Sequence, residues 1–388
     1  MKDKILFVVQ RYGEEVNGGA EMEARGYAEH LVGKYNVEVL TTCAVDYISW
    51  NNYYPEGDTS INGVFVHRYL NDRPRSKNFD KLSEKVIRPD HTYGDEQAWI
   101  DAQGPVCTKA IKWLREHYRE YRAVLFMTYL YYLTARGLAF GMDNSILIPT
   151  AHDEWPIHLK YYRQILSAPV GIIYNTEDER EFVESTFRTT QNKPSCTVGY
   201  GIEIPQNKLP DVKKKYKLCN YILYAGRIDV SKGCRHLFDY FQEYKRRHKE
   251  SDLQLVLCGK SAMEVPKDKD IISLGFVSEA DKYALMKEAH VFVIASLFES
   301  LSIVVLESMA MGTPVLVNGA CTVLKDHCID SNAGLWFTNY TQFEKTLDFM
   351  LYHPDCLAKM KENGKRYVSK NYRWDHIVDK IDDLIKRL

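Results

Sequence analysis

Short apolar runs of strand length recur along the chain, separated by stretches whose apolar positions fall three and four residues apart. In the first half the runs are Lys4–Val9, Asn36–Thr42, Val64–Tyr69, Ala123–Thr128, Ser145–Thr150, Gly171–Thr176 and Cys196–Gly199. In the second half they begin at Tyr221, Gln254, Ile271, Val291, Pro314 and Gly334. Runs that are apolar throughout, without alternation, suit parallel sheets covered on both faces. The intervening segments carry helical spacing. Met22, Tyr27, Ala28, Leu31 and Val32 share one face of a predicted helix over Ala20–Lys34, and Ile303, Leu306, Met309 and Ala310 share one over Ser302–Met311. Gly312 ends the latter and Pro314 blocks its continuation. One amphipathic helix is predicted for the final segment, from Tyr367 through Ile381, Leu384 and Ile385. Strands alternating with helices predict an α/β chain of doubly wound parallel sheets.

The pattern also marks divisions. Val198–Pro205 ends one set of strands and opens a polar, basic stretch through Lys217, which reads as an interdomain hinge. Two connections, 46–61 and 71–95, are polar and poorly periodic. Long connections of this kind in an α/β domain mark functional loops or mobile segments. The second contains Arg73, Arg75 and Lys77, a cluster that suits an anionic ligand or lipid headgroups and so peripheral membrane contact; a solvated loop is the alternative.

The densest chemistry lies between the apolar runs Val291–Ala295 and Pro314–Val317. Glu299 falls in the turn after the first run and Glu307 inside the helix that follows, with seven residues between them. Turn amides and a helix N-terminus favour an anion, and carboxylates accept hydrogen bonds from hydroxyls. Together they suit a ligand that is part phosphate and part polyol, although a surface carboxylate or a helix cap accounts for many such residues. The whole string, Glu-(seven residues)-Glu followed by Met-Ala-Met-Gly-Thr-Pro-Val, resembles the signature of retaining nucleotide-sugar glycosyltransferases of family 4, which have the GT-B fold. That resemblance implies two Rossmann-like doubly wound domains facing across a cleft. It implies an N-terminal acceptor-binding domain over 1–199 and a nucleotide-sugar-binding domain over 200–370. A C-terminal helix, about 371–388, would cross back to the first domain, as Tyr-Arg-Trp-Asp at 372–375 suggests; simple capping of the second domain is the alternative.

Other strings carry the same resemblance. Asn17-Gly18-Gly19-Ala20-Glu21 opens the first helix after the first strand, where the family's Gly-Gly loop faces the donor diphosphate; by itself a Gly-rich turn has ordinary steric uses. His152 follows an apolar strand, a position where open α/β sheets bind ligands. The family commonly has a histidine there facing the donor sugar, with Asp153 placed to orient it. Gly226-Arg227-(four residues)-Lys232-Gly233 resembles the family's diphosphate clamp, Arg227 acting as a flat fork and Lys232 as a point charge. Gly259, Phe276 and Val277 lie at two strand ends that hold the nucleobase in the family. The resemblance also assigns Glu299 to the sugar, Glu307 to the ribose and the backbone of Leu301, Ser302 and Ile303 to the phosphates. It departs at Tyr200 and Glu203 in the hinge and at Asn318-Gly319-Ala320-Cys321.

The implied activity is transfer of a sugar from a nucleoside-diphosphate sugar to a hydroxyl of a glycan, lipid-linked or other acceptor, with retention and with no cofactor or metal. Asp268-Lys269-Asp270 fits the metal-binding pattern of a different transferase architecture and is discounted because the other strings belong to the metal-free one. A GT-B epimerase or phosphorylase, or a catalytically silent binding subunit, is the alternative function.

Composition changes this picture little. With 388 residues, 45% hydrophobic and 27% charged, the chain has an ordinary globular composition sufficient for two domains. A net charge of −1 gives no field to draw it onto nucleic acid. No run nears the roughly 18 residues that would span a bilayer. The apolar stretch after Lys4 is too short for a signal peptide and reads as a buried strand, so a cytoplasmic setting is expected. Nine scattered cysteines, with Cys43, Cys258 and Cys321 beside apolar runs, read as buried free thiols rather than as disulfides or a zinc site.

Overall fold

A computed structural model describes residues 2–16 and 18–388. The chain divides into two compact units, Met1–Tyr200 with Trp374–Leu388, and Gly201–Arg373.

The first unit holds eight strands: β1 Lys4–Val8, β2 Asn36–Thr42, β3 Gly57–Ile61, β4 Val64–Tyr69, β5 Ala123–Met127, β6 Ser145–Ile148, β7 Gly171–Tyr174 and β8 Ser195–Thr197. Their order is β3-β4-β2-β1-β5-β6-β7-β8. All pairings are parallel except β3 with β4. Alternate residues of the strands feed two cores. Leu6, Val8, Leu40, Val124, Phe126 and Leu147 face one, and Ile5, Phe7, Val39, Leu125 and Ile146 face the other. The second core is closed by helix Gly19–Leu31 and by the C-terminal helix Trp374–Arg387, through Ile377, Ile381 and Leu384. Trp374 anchors the returning chain. It stacks on His30 with ring centroids 3.8 Å apart and meets Tyr27 and Tyr200 edge-on. A side chain at Gly26 would collide with both Trp374 and Tyr200, so glycine permits this approach.

The second unit holds β9 Tyr221–Ala225, β10 Gln254–Cys258, β11 Ile271–Ser273, β12 Val291–Ile294, β13 Val315–Asn318 and β14 Gly334–Phe337. All are parallel, in the order β11-β10-β9-β12-β13-β14. Renumbered from the first strand this is 3-2-1-4-5-6, the Rossmann order, whose direction reverses between β9 and β12. Ligands of open α/β sheets bind at the carboxyl ends of the strands at that reversal.

Four expectations need correction. The connection 46–61 contains β3, an edge strand whose residues Gly57–Ser60 are exposed and polar, so no apolar pattern announces it. Residues 71–95 are not an irregular loop: they contain helix Phe79–Ile87 and the start of helix Tyr93–Gln103, the latter opened by a Thr92–Asp95 capping box. Nor do Arg73, Arg75 and Lys77 form one exposed cluster. Arg75 is half-buried, its guanidinium lying over Trp50 and Phe79, and it donates to the Tyr47 carbonyl. Finally, the single terminal helix is two, Pro354–Asn371 and Trp374–Arg387, broken at Tyr372 and Arg373 where the chain passes from one unit to the other.

The abundant tyrosines have a structural use. Buried rings fill core while their hydroxyls pin main-chain carbonyls, Tyr162 on Leu130, Tyr224 on Arg227 and Tyr27 on Gly199 in loops and Tyr221 on Leu285 in the last turn of helix Glu279–Glu288. Cys43, Cys258 and Cys321 are buried, and all nine cysteines are free thiols.

A polar cluster on the first sheet predicts a pH dependence. His67 bonds to Glu38 at 3.0 Å and to Asp58 at 2.9 Å, and Glu38 also accepts from Tyr121. Burial works against the charged imidazole, but the two carboxylates win and raise its pKa. Burial likewise opposes ionisation of Glu38, yet His67, Tyr121 and Lys4 bring it down to about 2. The histidine therefore contributes stability below its unfolded pKa and loses it as pH rises through the higher folded value. The carboxylate contributes above its unfolded pKa and loses it as pH falls. The destabilisation caused by His67→Gln, measured by thermal unfolding, is expected to be largest at about pH 5.5 and to shrink by about pH 8.5. A difference that does not vary with pH would contradict this.

Candidate functional site

At the reversal point of the second sheet two turns meet. The first follows β9. Gly226, at φ +142°, turns the chain out of the strand, and the Tyr224 hydroxyl holds the Arg227 carbonyl at 2.6 Å. Asp229 organises the rest, accepting from the Ser231 hydroxyl at 2.7 Å and the Lys232 N–H at 2.9 Å and pairing with Arg227. Burial opposes its ionisation, but Ser231 and Arg227 hold it below the usual carboxylate range. Gly233, at φ +70°, then caps helix Cys234–Arg247; a side chain there would strike the Ala295 carbonyl at the end of β12.

The second turn follows β12 and carries Glu299. Lys232 Nζ lies 2.8 Å from Glu299 Oε1, joining the two turns. The chain then passes through Leu301 to Ser302, which adopts a left-handed conformation (φ 62°) and caps helix Ile303–Ala310. Leu301 is buried, so its side chain is unavailable to a ligand and only its backbone remains. The Ser296 and Ser302 hydroxyls are both buried without a hydrogen-bond partner. Non-glycine left-handed backbone and orphaned buried hydroxyls are costly features that concentrate at functional sites.

Glu307 lies on that helix and is only 4% exposed. Its Oε1 accepts from Lys282 and from the Tyr283 hydroxyl, each at 2.9 Å, whereas Oε2 is buried with no partner. Burial raises its pKa, opposed chiefly by Lys282. Burial likewise disfavours the Lys282 charge, but Glu307 and Glu279 outweigh it and raise that pKa too. A carboxylate fixed through one oxygen, with the other presented unsatisfied, can accept a hydroxyl.

The remaining predicted residues distribute as follows. Gly259 ends β10 at φ +137° and presses on the end of β9, where a Cβ would sit 1.9 Å from the Gly226 carbonyl oxygen. It thus has a packing reason for being glycine. Phe276 is 70% exposed and Val277 half-buried, both following β11. In the first unit, Gly18 precedes helix Gly19–Leu31 and gives room to a buried ion pair, Arg11 with Glu21 at 2.7 Å; Asn17 lies outside the described residues. Gly19 has open space around it. His152 follows β6 with its Nε2 3.6 Å from Glu154. Asp153 does not orient it: that carboxylate bonds to His158 at 2.6 Å, because the chain turns and presents the next carboxylate to His152 instead. Asp268 and Asp270 are occupied too, Asp270 by Lys245 at 3.2 Å and Asp268 by the backbone of residue 270. Among the described residues no group of three His, Cys, Asp or Glu side chains is arranged to hold a metal.

Sequence reasoning missed Asp229, Lys282, Tyr283 and, in the first unit, Glu179. The last bonds the Ala151 N–H at 2.5 Å and the Asn175 N–H at 2.6 Å, fixing the backbone beside His152. Burial pushes its pKa up to about 8 against those two bonds. Asp229 had a local signal, lying between the two cations; the others are brought in from distant sequence and had none.

Comparison with known proteins bears on the fold and on the second unit. A family model described as glycosyl transferases group 1 matches residues 205–367. An uncharacterized glycosyltransferase of Methanocaldococcus jannaschii is 28% identical over 42% of this chain and 44% of its own length. The chain thus spans under half the length of that curated relative. Among solved structures, sucrose-phosphate synthase from Thermosynechococcus elongatus superposes with a TM-score of 0.75 at 16% identity, covering 100% of this chain and 99% of that one. Anabaena HepE, solved in complex with UDP-glucose, gives a TM-score of 0.70 at 13% identity, with 100% of each chain covered. The chain therefore has the α/β architecture of the GT-B glycosyltransferases, two Rossmann-like domains of parallel strands, and its second domain carries the group 1 glycosyl transferase match.

Proposed function

We propose that the protein is a metal-independent, retaining glycosyltransferase of the family 4 type, moving a hexosyl group from a nucleoside-diphosphate sugar to an acceptor hydroxyl. The observation that carries this is the 2.8 Å contact between Lys232 and Glu299 at the reversal point of the second sheet. It brings a cationic turn, an acidic turn and a helix N-terminus together where such sheets bind nucleotides. The UDP-glucose complex of HepE, on the same fold, supports a nucleotide-sugar donor.

In this reading Arg227 and Lys232 exchange their carboxylate partners for the diphosphate. The amides around Leu301, Ser302 and Ile303 take its remaining charge. Glu299, released from Lys232, accepts donor-sugar hydroxyls. The unsatisfied Oε2 of Glu307 accepts a ribose hydroxyl, and Phe276 and Val277 flank the base beside Gly259. By resemblance, His152 and the Gly18-Gly19 turn of the first unit are assigned to the donor sugar and diphosphate. The acceptor oxygen forms its bond to the anomeric carbon on the face from which the diphosphate leaves. The carbon–oxygen bond to phosphate breaks, and the acceptor proton passes to the departing phosphate oxygen. Two fixed cations neutralise the leaving group, so no metal is needed. The acceptor is a glycan, lipid-linked or other hydroxyl compound. We place the protein in the cytoplasm, with peripheral contact to a membrane where a lipid-linked acceptor requires it; none of its helices is long and apolar enough to cross one, among the described residues.

The test is product analysis with UDP-, GDP- and ADP-sugars. Release of free nucleoside diphosphate with an α-linked product from an α-linked donor supports the reading. An epimerised sugar or a sugar phosphate would move the assignment to another GT-B activity. Glu307→Ala is expected to weaken donor binding about tenfold, as loss of one hydrogen bond to a charged group does; unchanged binding in calorimetry would remove Glu307 from the site.

A further inference from the structure

The turn that carries Glu299 to Ser302 is held from behind by a chain of side chains that ends at the unit boundary. His327, on helix Thr322–Ser331, is buried, and its Nε2 lies 2.8 Å from the Leu301 carbonyl oxygen. Its Nδ1 lies 3.1 Å from the Tyr367 hydroxyl, on helix Pro354–Asn371, and that hydroxyl lies 3.2 Å from the Tyr372 hydroxyl. The Tyr372 backbone carbonyl in turn accepts the Ile202 N–H at 2.9 Å. Residues 202 and 372 belong to the two segments where the chain enters and leaves this unit.

The direction of the chain follows from its end. A carbonyl only accepts, so Nε2 carries the hydrogen. Burial disfavours the charged ring and holds the His327 pKa below its usual value, although the Leu301 carbonyl favours charge. In the neutral ring Nδ1 is then an acceptor and takes the Tyr367 hydroxyl proton. Tyr367 oxygen is left to accept from Tyr372. Each group is satisfied in one arrangement only, with both ring nitrogens of His327 engaged.

We infer that His327, Tyr367 and Tyr372 are positioning residues for the anion-binding turn, fixing the Leu301 carbonyl so that the left-handed Ser302 and the amides after it face the donor, and tying that turn to the two segments that enter and leave the unit. The role of the turn rests on the function proposed above; the mechanical link does not. None of the three touches the reacting atoms in this account. Without His327 the Leu301 carbonyl is left buried and unpaired, and the turn is free to leave its strained conformation.

The test uses the full chain with His327→Leu, His327→Gln, which keeps a donor near the Nε2 position, and Tyr372→Phe, which removes only the far hydroxyl. Hydrogen exchange is followed in the peptide covering residues 298–309, where the Val305 and Leu306 N–H groups bond to the Ser302 carbonyl. Exchange there is expected to quicken about tenfold in His327→Leu, less in Tyr372→Phe, and to return towards wild type in His327→Gln. Affinity for UDP, GDP or ADP, whichever binds the wild type, is expected to fall and recover in the same order. Unchanged exchange in this peptide, or a Gln variant no closer to wild type than Leu, would overturn the link. Should His327→Leu not fold, the Gln and Phe variants decide the matter alone. If the wild type binds none of the three nucleotides, the proposed function fails, while the exchange series still decides the link.

Discussion

Arg227→Ala and Lys232→Ala will each lower turnover of the nucleotide-sugar about 10²-fold, the loss seen when one preorganised charge-stabilising donor is removed. The two should differ in character. Arg227 is paired to Asp229 within its own turn, so its loss leaves a partly buried carboxylate beside the diphosphate and adds repulsion to the missing attraction. Lys232 is paired across turns to Glu299, so its loss also frees the carboxylate assigned to the sugar. Lys232→Ala should therefore weaken donor binding as well as kcat, and Lys232→Arg should recover part of both. Steady-state kinetics of the three variants check this, with thermal unfolding to show that the fold is retained. Wild-type rates in either alanine variant would remove the cationic turn from the mechanism.

Gly259→Ala will destabilise the second unit by about 3 kcal/mol or more. Two costs coincide. The backbone at φ +137° is a conformation that side-chain-bearing residues rarely adopt, and the new Cβ would lie 1.9 Å from the Gly226 carbonyl oxygen. That neighbour is main chain, pinned by the Gly226 N–H to Cys258 carbonyl bond at 2.9 Å, so it cannot move aside cheaply. Gly19→Ala is the control. Nothing lies within 4 Å of a Cβ there, and alanine suits the first turn of a helix, so stability should change by less than about 0.5 kcal/mol. Equal unfolding midpoints in urea for the two variants would contradict the packing reason given for Gly259.

The fold was legible where burial writes itself into the sequence. Both sheets consist mainly of strands covered on two faces, and their largely apolar runs mark most parallel strands within a few residues, although β2, β4 and β8 include polar positions. β3 escaped because an exposed edge strand needs no apolar residues. The break at Tyr372 and Arg373 escaped because the apolar period of the helix before it resumes in the helix after it, so periodicity alone saw one element. The placement of the candidate residues was legible too: Arg227, Lys232 and Glu299 lie in strand-end turns that any Rossmann order brings together once β9 and β12 are neighbours. What holds those residues was not. Lys282 and Tyr283 reach Glu307 from 25 and 24 residues away, and His327 reaches Leu301 from the next helix but one in the fold. Such partners depend on packing between elements, and no spacing in the chain encodes them.

The central claim is that the second unit grips a nucleoside diphosphate between the turns after β9 and β12. Isothermal titration of UDP, GDP and ADP into the wild type and Lys232→Ala tests it most directly. The account predicts saturable binding of at least one of the three without added metal, weakened tenfold or more by the substitution. Binding of equal strength to both proteins, or of none to the wild type, would contradict it.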